Sequence, residues 1–264
     1  MNNIIYVGGN KAKKSIIGLE YLFNNKNSND KLLVIFEEPE QNYEKKKNGI
    51  LKRTLKFFLK KIFNNYNIKL NYNSLKEFCE NNNIKYLSVK DKTLLNCKRE
   101  IEKFNPDYLL VNGWGWKINI EIINLSKKAS LNCHSSYLPY YRGASVYFHV
   151  LMNKESYTGI TVHKMTDKFD KGYIIKQKQV LINKKETPNS LLEKLAKESG
   201  PLLLESIKAI DDGEKGFLPK EKGFYVEKIN YKKYIINKLK NEIRILCGRK
   251  PKKYCIKTTK KEIK

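Results

Sequence analysis

Asn105-Pro106-Asp107-Tyr108-Leu109-Leu110-Val111-Asn112-Gly113 decides the fold class of this chain. Pro106 cannot continue a helix, so it stops the helical pattern that runs from Leu94 to Phe104. Tyr108 to Asn112 is then an uninterrupted apolar run that ends at a glycine, the mark of a strand buried on both faces. The same alternation recurs upstream. Asn3 to Gly8 reads as a strand and Lys14 to Phe23 as a helix, followed by a second strand over Lys31 to Phe36. Ser74 to Asn82 is a further helix and Lys85 to Val89 a third strand. Strands separated by helices at this spacing predict an α/β fold, a mostly parallel, Rossmann-like sheet with helices on both faces. Such sheets bind ligands outside the carboxyl ends of their strands. No GxGxxG or P-loop follows Gly8-Gly9, so that pair reads as a tight turn.

The chain has 264 residues, 53 of them Lys or Arg against 27 Asp or Glu, for a formal charge of +26. The excess is spread along the chain and is mostly Lys in an Asn- and Ile-rich background, as a compositional bias would produce. A field selected for an anionic partner is the alternative. No apolar run reaches the roughly 18 residues of a membrane span. Met1 to Gly9 lacks the basic start and cleavage site of a signal peptide, so a cytoplasmic protein is expected. Five cysteines without CxxC or zinc spacing, and three scattered histidines, predict reduced thiols and no metal.

Two regions stand apart. In an insertion over about 40–72, Ile50, Leu51, Leu55, Phe58, Leu59, Ile62 and Phe63 fall at helical spacing among lysines. That basic amphipathic helix either packs on the protein or lies on a membrane surface. Thr187-Pro188 caps a long helix that ends at Asp211-Asp212-Gly213. Residues 1–212 therefore read as one catalytic unit. Residues 213–264 read as a small appendage with a strand at Phe224-Tyr225-Val226 and a basic helix from Tyr231 to Leu246.

The chemistry lies between Ala129 and Gln177. Alternation along Ala129 to His134 places Asn132 and His134 on one face of a strand. A polar loop downstream carries Asp170 before Gly172. An amide can donate to a developing oxyanion, an imidazole can move protons, and a carboxylate can orient that imidazole. No Ser or Cys sits in a nucleophile elbow, so direct attack by an amine fits better than a covalent enzyme intermediate. His149 and His163 read as packing or surface residues.

Asn132-x-His134, then Ser-Tyr-Leu-Pro and Tyr-Arg-Gly, then Thr-Gly-Ile-Thr-Val-His and Asp170-x-Gly172, resembles the formyltransferases that use N10-formyltetrahydrofolate. The motifs stand in family order over about residues 105–180. The resemblance implies that Asn132 stabilises the oxyanion, His134 acts as general base or acid, and Asp170 tunes His134. It also places the folate co-substrate against Trp116, Lys117 and Ile118, against Ser136, Tyr137, Leu138 and Pro139, and against the loop Thr166, Asp167, Lys168 and Phe169. Where many relatives carry a Pro after Arg-Gly-Ala, this chain has Ser145-Val146-Tyr147, a departure on the acceptor side. The short appendage fits a nucleotide-linked amino sugar as the amine acceptor better than methionyl-tRNA, which stays an alternative together with other small amines. A homodimer is left open. A non-catalytic nucleic-acid-binding or membrane-surface protein on the same fold would have no need of the Asn132, His134 and Asp170 trio.

Overall fold

A computed structural model describes residues 1–38 and 70–249. The amphipathic pattern at Ile50 to Phe63 and the basic tail after Arg249 lie outside the described residues. In chain order the elements begin with β1 (Asn3–Gly8), α1 (Lys13–Asn25), β2 (Lys31–Glu37), α2 (Leu75–Asn81) and β3 (Lys85–Val89). Then come a 3₁₀ turn (Leu95–Cys97), α3 (Lys98–Phe104), β4 (Tyr108–Val111), α4 (Ile120–Ile123) and β5 (Ala129–His134). After them stand β6 (Arg142–Gly143), α5 (Val146–Met152), β7 (Tyr157–Lys164), β8 (Ile174–Leu181) and α6 (Pro188–Asp211). The last two are β9 (Tyr225–Val226) and α7 (Tyr231–Leu246).

Seven strands form one sheet in the order β3-β2-β1-β4-β5-β7-β8. β3 through β5 are mutually parallel, and β7 and β8 add an antiparallel edge. The chain order reverses between β1 and β4, which opens a crevice at the carboxyl ends of the strands. Period-two alternation sends successive side chains to opposite faces. Ile4, Tyr6, Val34, Phe36, Leu110 and Leu131 pack on one face against Leu19 and Leu22 of α1 and Leu195 and Leu203 of α6. Ile5, Val7, Leu33, Ile35, Leu109 and Val111 pack on the other against Ile101, Ile118 and Ile122. Each fully buried aliphatic side chain contributes about 1.5–3 kcal/mol, so the sheet is a firm platform for what its ends carry.

Asn112, read as the last residue of a strand, is fully buried just past β4. Its amide donates to the Tyr6 hydroxyl, the Lys14 carbonyl and the Ser199 hydroxyl, tying β4 to β1, α1 and α6. One reading is corrected. Leu94 to Phe104 is not a single helix, because Leu94 takes a left-handed φ of 67° and only a 3₁₀ turn precedes α3. The Asp91 carboxylate accepts from the Thr93 and Asn96 amides and so draws those amides into a turn before the helix begins. At the start of α6, Thr187 caps the helix as the sequence predicts, and Ser190 makes the cap reciprocal.

The segment after α6 builds a separate two-stranded sheet. β9 pairs in parallel with β6, and Tyr234 of α7 stacks on Phe148 of α5 at 5.0 Å. Cys79, Cys97 and Cys133 are buried free thiols. Among the described residues no helix is long and apolar enough to cross a membrane.

Candidate active site

The crevice holds a cavity of about 500 Å³. Its walls are the turns that follow three strands: Ala12 to Lys14 after β1, Gly113 to Ile118 after β4, and Asn132 to Ser135 at the end of β5. The loop from Met165 to Asp170 forms a fourth side, and Tyr225 and Lys228 from the C-terminal segment complete it.

Asn132, His134 and Asp170 meet at this cavity, as their types and spacing predicted. β5 supplies the first two, and antiparallel pairing with β7 sets His163 directly opposite Asn132. Asp170 reaches the cluster from the loop between β7 and β8, with its backbone in the left-handed region at φ 53°. Its Oδ2 accepts from the Gly143 amide at 2.8 Å. Its Oδ1 lies 3.5 Å from His134 Nδ1, 3.4 Å from His163 Nε2 and 3.3 Å from Asn132 Nδ2. Burial alone would raise the Asp170 carboxyl. The two imidazoles and the Gly143 amide outweigh it and hold the group well below the usual carboxylate range.

Carbonyl neighbours place one proton on each imidazole. His134 Nε2 lies 3.0 Å from the Tyr141 carbonyl, which can only accept, so Nε2 carries a proton. Nδ1 is left facing Asp170 as the atom that can take one. His163 Nδ1 donates to the Lys164 carbonyl at 2.9 Å, and its Nε2 lies 3.1 Å from Asn132 Nδ2 and 3.4 Å from Asp170 Oδ1. Burial pushes the His134 pKa below its ordinary value and outweighs the pull of Asp170 in the other direction. That direction favours the uncharged imidazole.

Trp116, Lys117 and Ile118 line the cavity, as do Thr166, Asp167, Lys168 and Phe169. Trp116 and Phe169 keep much of their ring surface exposed at its mouth, and Lys92 Nζ sits 4.3 Å from the Trp116 ring centre. Ser136, Tyr137, Leu138 and Pro139 stand outside the lining. Their bonds explain why: Ser136 donates to the Tyr140 carbonyl, the Leu138 amide to Thr161 Oγ1, and Gln177 to the Leu138 carbonyl. Those bonds tie the turn to β7 and β8.

Two residues of the site escaped the sequence reading. His163 is buried, as a packing residue would be, but it is bound to Asn132 and faces Asp170. A lone histidine inside an otherwise apolar strand needs buried polar partners, and that was the available signal. Lys14 is buried at the start of α1 and its Nζ donates to the Cys133 carbonyl. It shares a helical stripe with the buried Gly18 and Leu22, so a lysine at an inward-facing position was the cue. Burial lowers the Lys14 pKa, against the raising influence of Cys133 and Asp170.

The family model described as formyl transferase matches residues 42–207. A methionyl-tRNA formyltransferase of Halothermothrix orenii is 36% identical over 122 residues, 46% of this chain and 38% of the relative. One from Borreliella burgdorferi is 32% identical over 170 residues, 59% of this chain and 54% of the relative. The chain thus spans about half or less of the length of these curated relatives. Among solved structures, an N-formyltransferase from Helicobacter canadensis, in complex with folinic acid and dTDP-3-aminofucose, superposes with a TM-score of 0.61. It is 22% identical and the match covers 87% of this chain and 73% of that one. Glycinamide ribonucleotide transformylase 1 from Symbiobacterium toebii gives a TM-score of 0.60 at 15% identity, covering 83% and 93%. At such identities the two structures speak for the fold alone.

Proposed function

The chain belongs to the formyl transferase family, and from that premise we propose that it transfers a formyl group from N10-formyltetrahydrofolate to a primary amine. The acceptor we infer is a small anionic molecule, a nucleotide-linked amino sugar. The observation that carries the reading is the single cluster of Asn132, His134 and Asp170 at the wall of a strand-end cavity.

The donor set suits the folate. Apolar walls from Val111, Ile118 and Met165, with Trp116 and Phe169 at the mouth, match a planar ring, and Lys117 and Lys168 match its carboxylates. When bound, N10-formyltetrahydrofolate supplies the electrophilic formyl carbon. The chain's residues do the rest. Asn132 exchanges its 3.3 Å contact with Asp170 for the formyl oxygen, where negative charge develops as the amine attacks. His134 takes the amine's proton at Nδ1, and the resulting imidazolium faces the Asp170 carboxylate. His134 then returns the proton to the departing folate nitrogen.

Tyr225 and Lys228 support the small acceptor. β9 pairs with β6 and thereby brings an aromatic ring and a cation into the cavity wall beside Tyr147. A base can stack on the first and a phosphate can meet the second. Methionyl-tRNA is the second reading, supported by the names of the curated relatives and by the +26 charge. A panel of nucleotide-linked amino sugars and charged methionyl-tRNA, each incubated with N10-formyltetrahydrofolate and read by mass spectrometry, decides between them. Formylated sugar nucleotide supports the reading. Formylated methionyl-tRNA alone replaces the acceptor and keeps the chemistry, and no formylated amine of either kind refutes both.

A further inference from the structure

Lys14 is an expensive residue where it stands. It occupies the first turn of α1, where the helix dipole disfavours a cation, and it is only 7% exposed. Its neighbour Lys11 stays at the surface, so a lysine-rich composition does not explain the burial. Burying an ammonium is costly unless charges and hydrogen bonds offset it. The offset here lies in the site: Nζ donates to the Cys133 carbonyl, which sits between Asn132 and His134, and it is attracted by Asp170.

We propose that Lys14 is a positioning residue of the formyl-transfer site: its buried ammonium braces the backbone between Asn132 and His134 and adds a positive charge that works with burial to keep His134 uncharged beside Asp170. The inference rests on the function proposed above for the role of His134. Its logic is local. With Nε2 committed to the Tyr141 carbonyl, a neutral His134 turns a bare Nδ1 lone pair toward a carboxylate 3.5 Å away. Burial opposes proton uptake there, the carboxylate favours it, and a nearby positive charge adds to the opposition. The charged and titratable groups facing His134 are Asp170 from the loop after β7, His163 from β7, and Lys14 from α1. The adjacent Cys133 thiol is held protonated by its burial. Asp170 pulls a proton onto His134, and Lys14 opposes it.

The test is a pH titration of the histidine ring signals by NMR in the full chain, comparing wild type with Lys14→Met and Lys14→Arg. Lys14→Met should raise the His134 pKa and move the acidic limb of kcat/KM to higher pH by the same amount. Lys14→Arg, which keeps the charge, should leave both near wild type. A folded Lys14→Met protein with an unchanged or lower His134 pKa overturns the proposal. Should Lys14→Met fail to fold, titration of the Lys14 side-chain signals in the wild type still decides. A neutral amine at about pH 7 overturns the proposal, and a charged one supports it. The NMR titrations need no acceptor amine, so inactivity toward every amine would count against the proposed function and leave the Lys14 result to be judged on the His134 pKa alone.

Discussion

Asp170 is the residue on which the chemistry of the site converges, and its substitution separates two roles. His134 must be neutral to accept a proton, so activity falls as pH drops through its pKa, which burial sets below the ordinary value. The Asp170 charge raises that pKa. Asp170→Asn removes the charge, so the acidic limb of kcat/KM should move to lower pH while turnover falls at every pH, because the imidazolium loses its partner. Asn tolerates the left-handed backbone at this position, so the loop survives the change. Wild-type kinetics would remove Asp170 from the mechanism, and lost activity with an unmoved limb would leave it catalytic but not a tuner of His134. Asn132→Ala should lower kcat by about 100- to 1000-fold, the cost of one oxyanion donor, with an unchanged thermal melt. The meeting of Asn132, His134 and Asp170 was legible in the sequence, because strand alternation and a polar loop bring those residue types to one end of the sheet. His163 and Lys14 were not, since what makes them part of the site is strand register and helix facing. Those are set by tertiary packing.

The elements show the same division. β1, β3, α7 and the cap of α6 stand where apolar periodicity and capping residues put them, because local propensity and packing agree there. The break at Leu94 was hidden, since the Asp91 side chain competes with the helix for its first amides. β6 was hidden too, because two residues carry no periodic signal and the strand exists only through its pairing with β9. That pairing gives Gly143 its importance. Its φ is +100°, and a Cβ there would lie 2.4 Å from the Val226 carbonyl oxygen and 2.6 Å from the Tyr225 ring. Its amide also holds Asp170. Gly143→Ala should therefore destabilise the fold by about 1–3 kcal/mol and lower kcat as well, which a thermal melt and a rate measurement on one preparation would check. A variant as stable and as active as wild type would mean that β6 and β9 do not fix the loop.

At the scale of the molecule, one doubly wound sheet with an antiparallel edge brings turns that are distant in sequence to one crevice. That architecture was readable from alternating strands and helices. The cavity was not, because it exists only once the strand order reverses between β1 and β4. The +26 charge acts at this scale as well. Phosphate contacts weaken steeply with salt whatever the sequence bound. If the charge is compositional, binding to tRNA and to an unrelated polyanion should fall together as salt rises, followed by fluorescence anisotropy. Retention of tRNA after the polyanion is released would instead support methionyl-tRNA as acceptor. The most direct test of the central claim is the release of tetrahydrofolate from N10-formyltetrahydrofolate, measured with and without an amine panel. We expect release only when the right amine is present, one formylated amine for each tetrahydrofolate, and a rate about 100- to 1000-fold lower in Asn132→Ala. Release that proceeds equally without any amine, or that survives Asn132→Ala undiminished, would contradict amine formylation at this site.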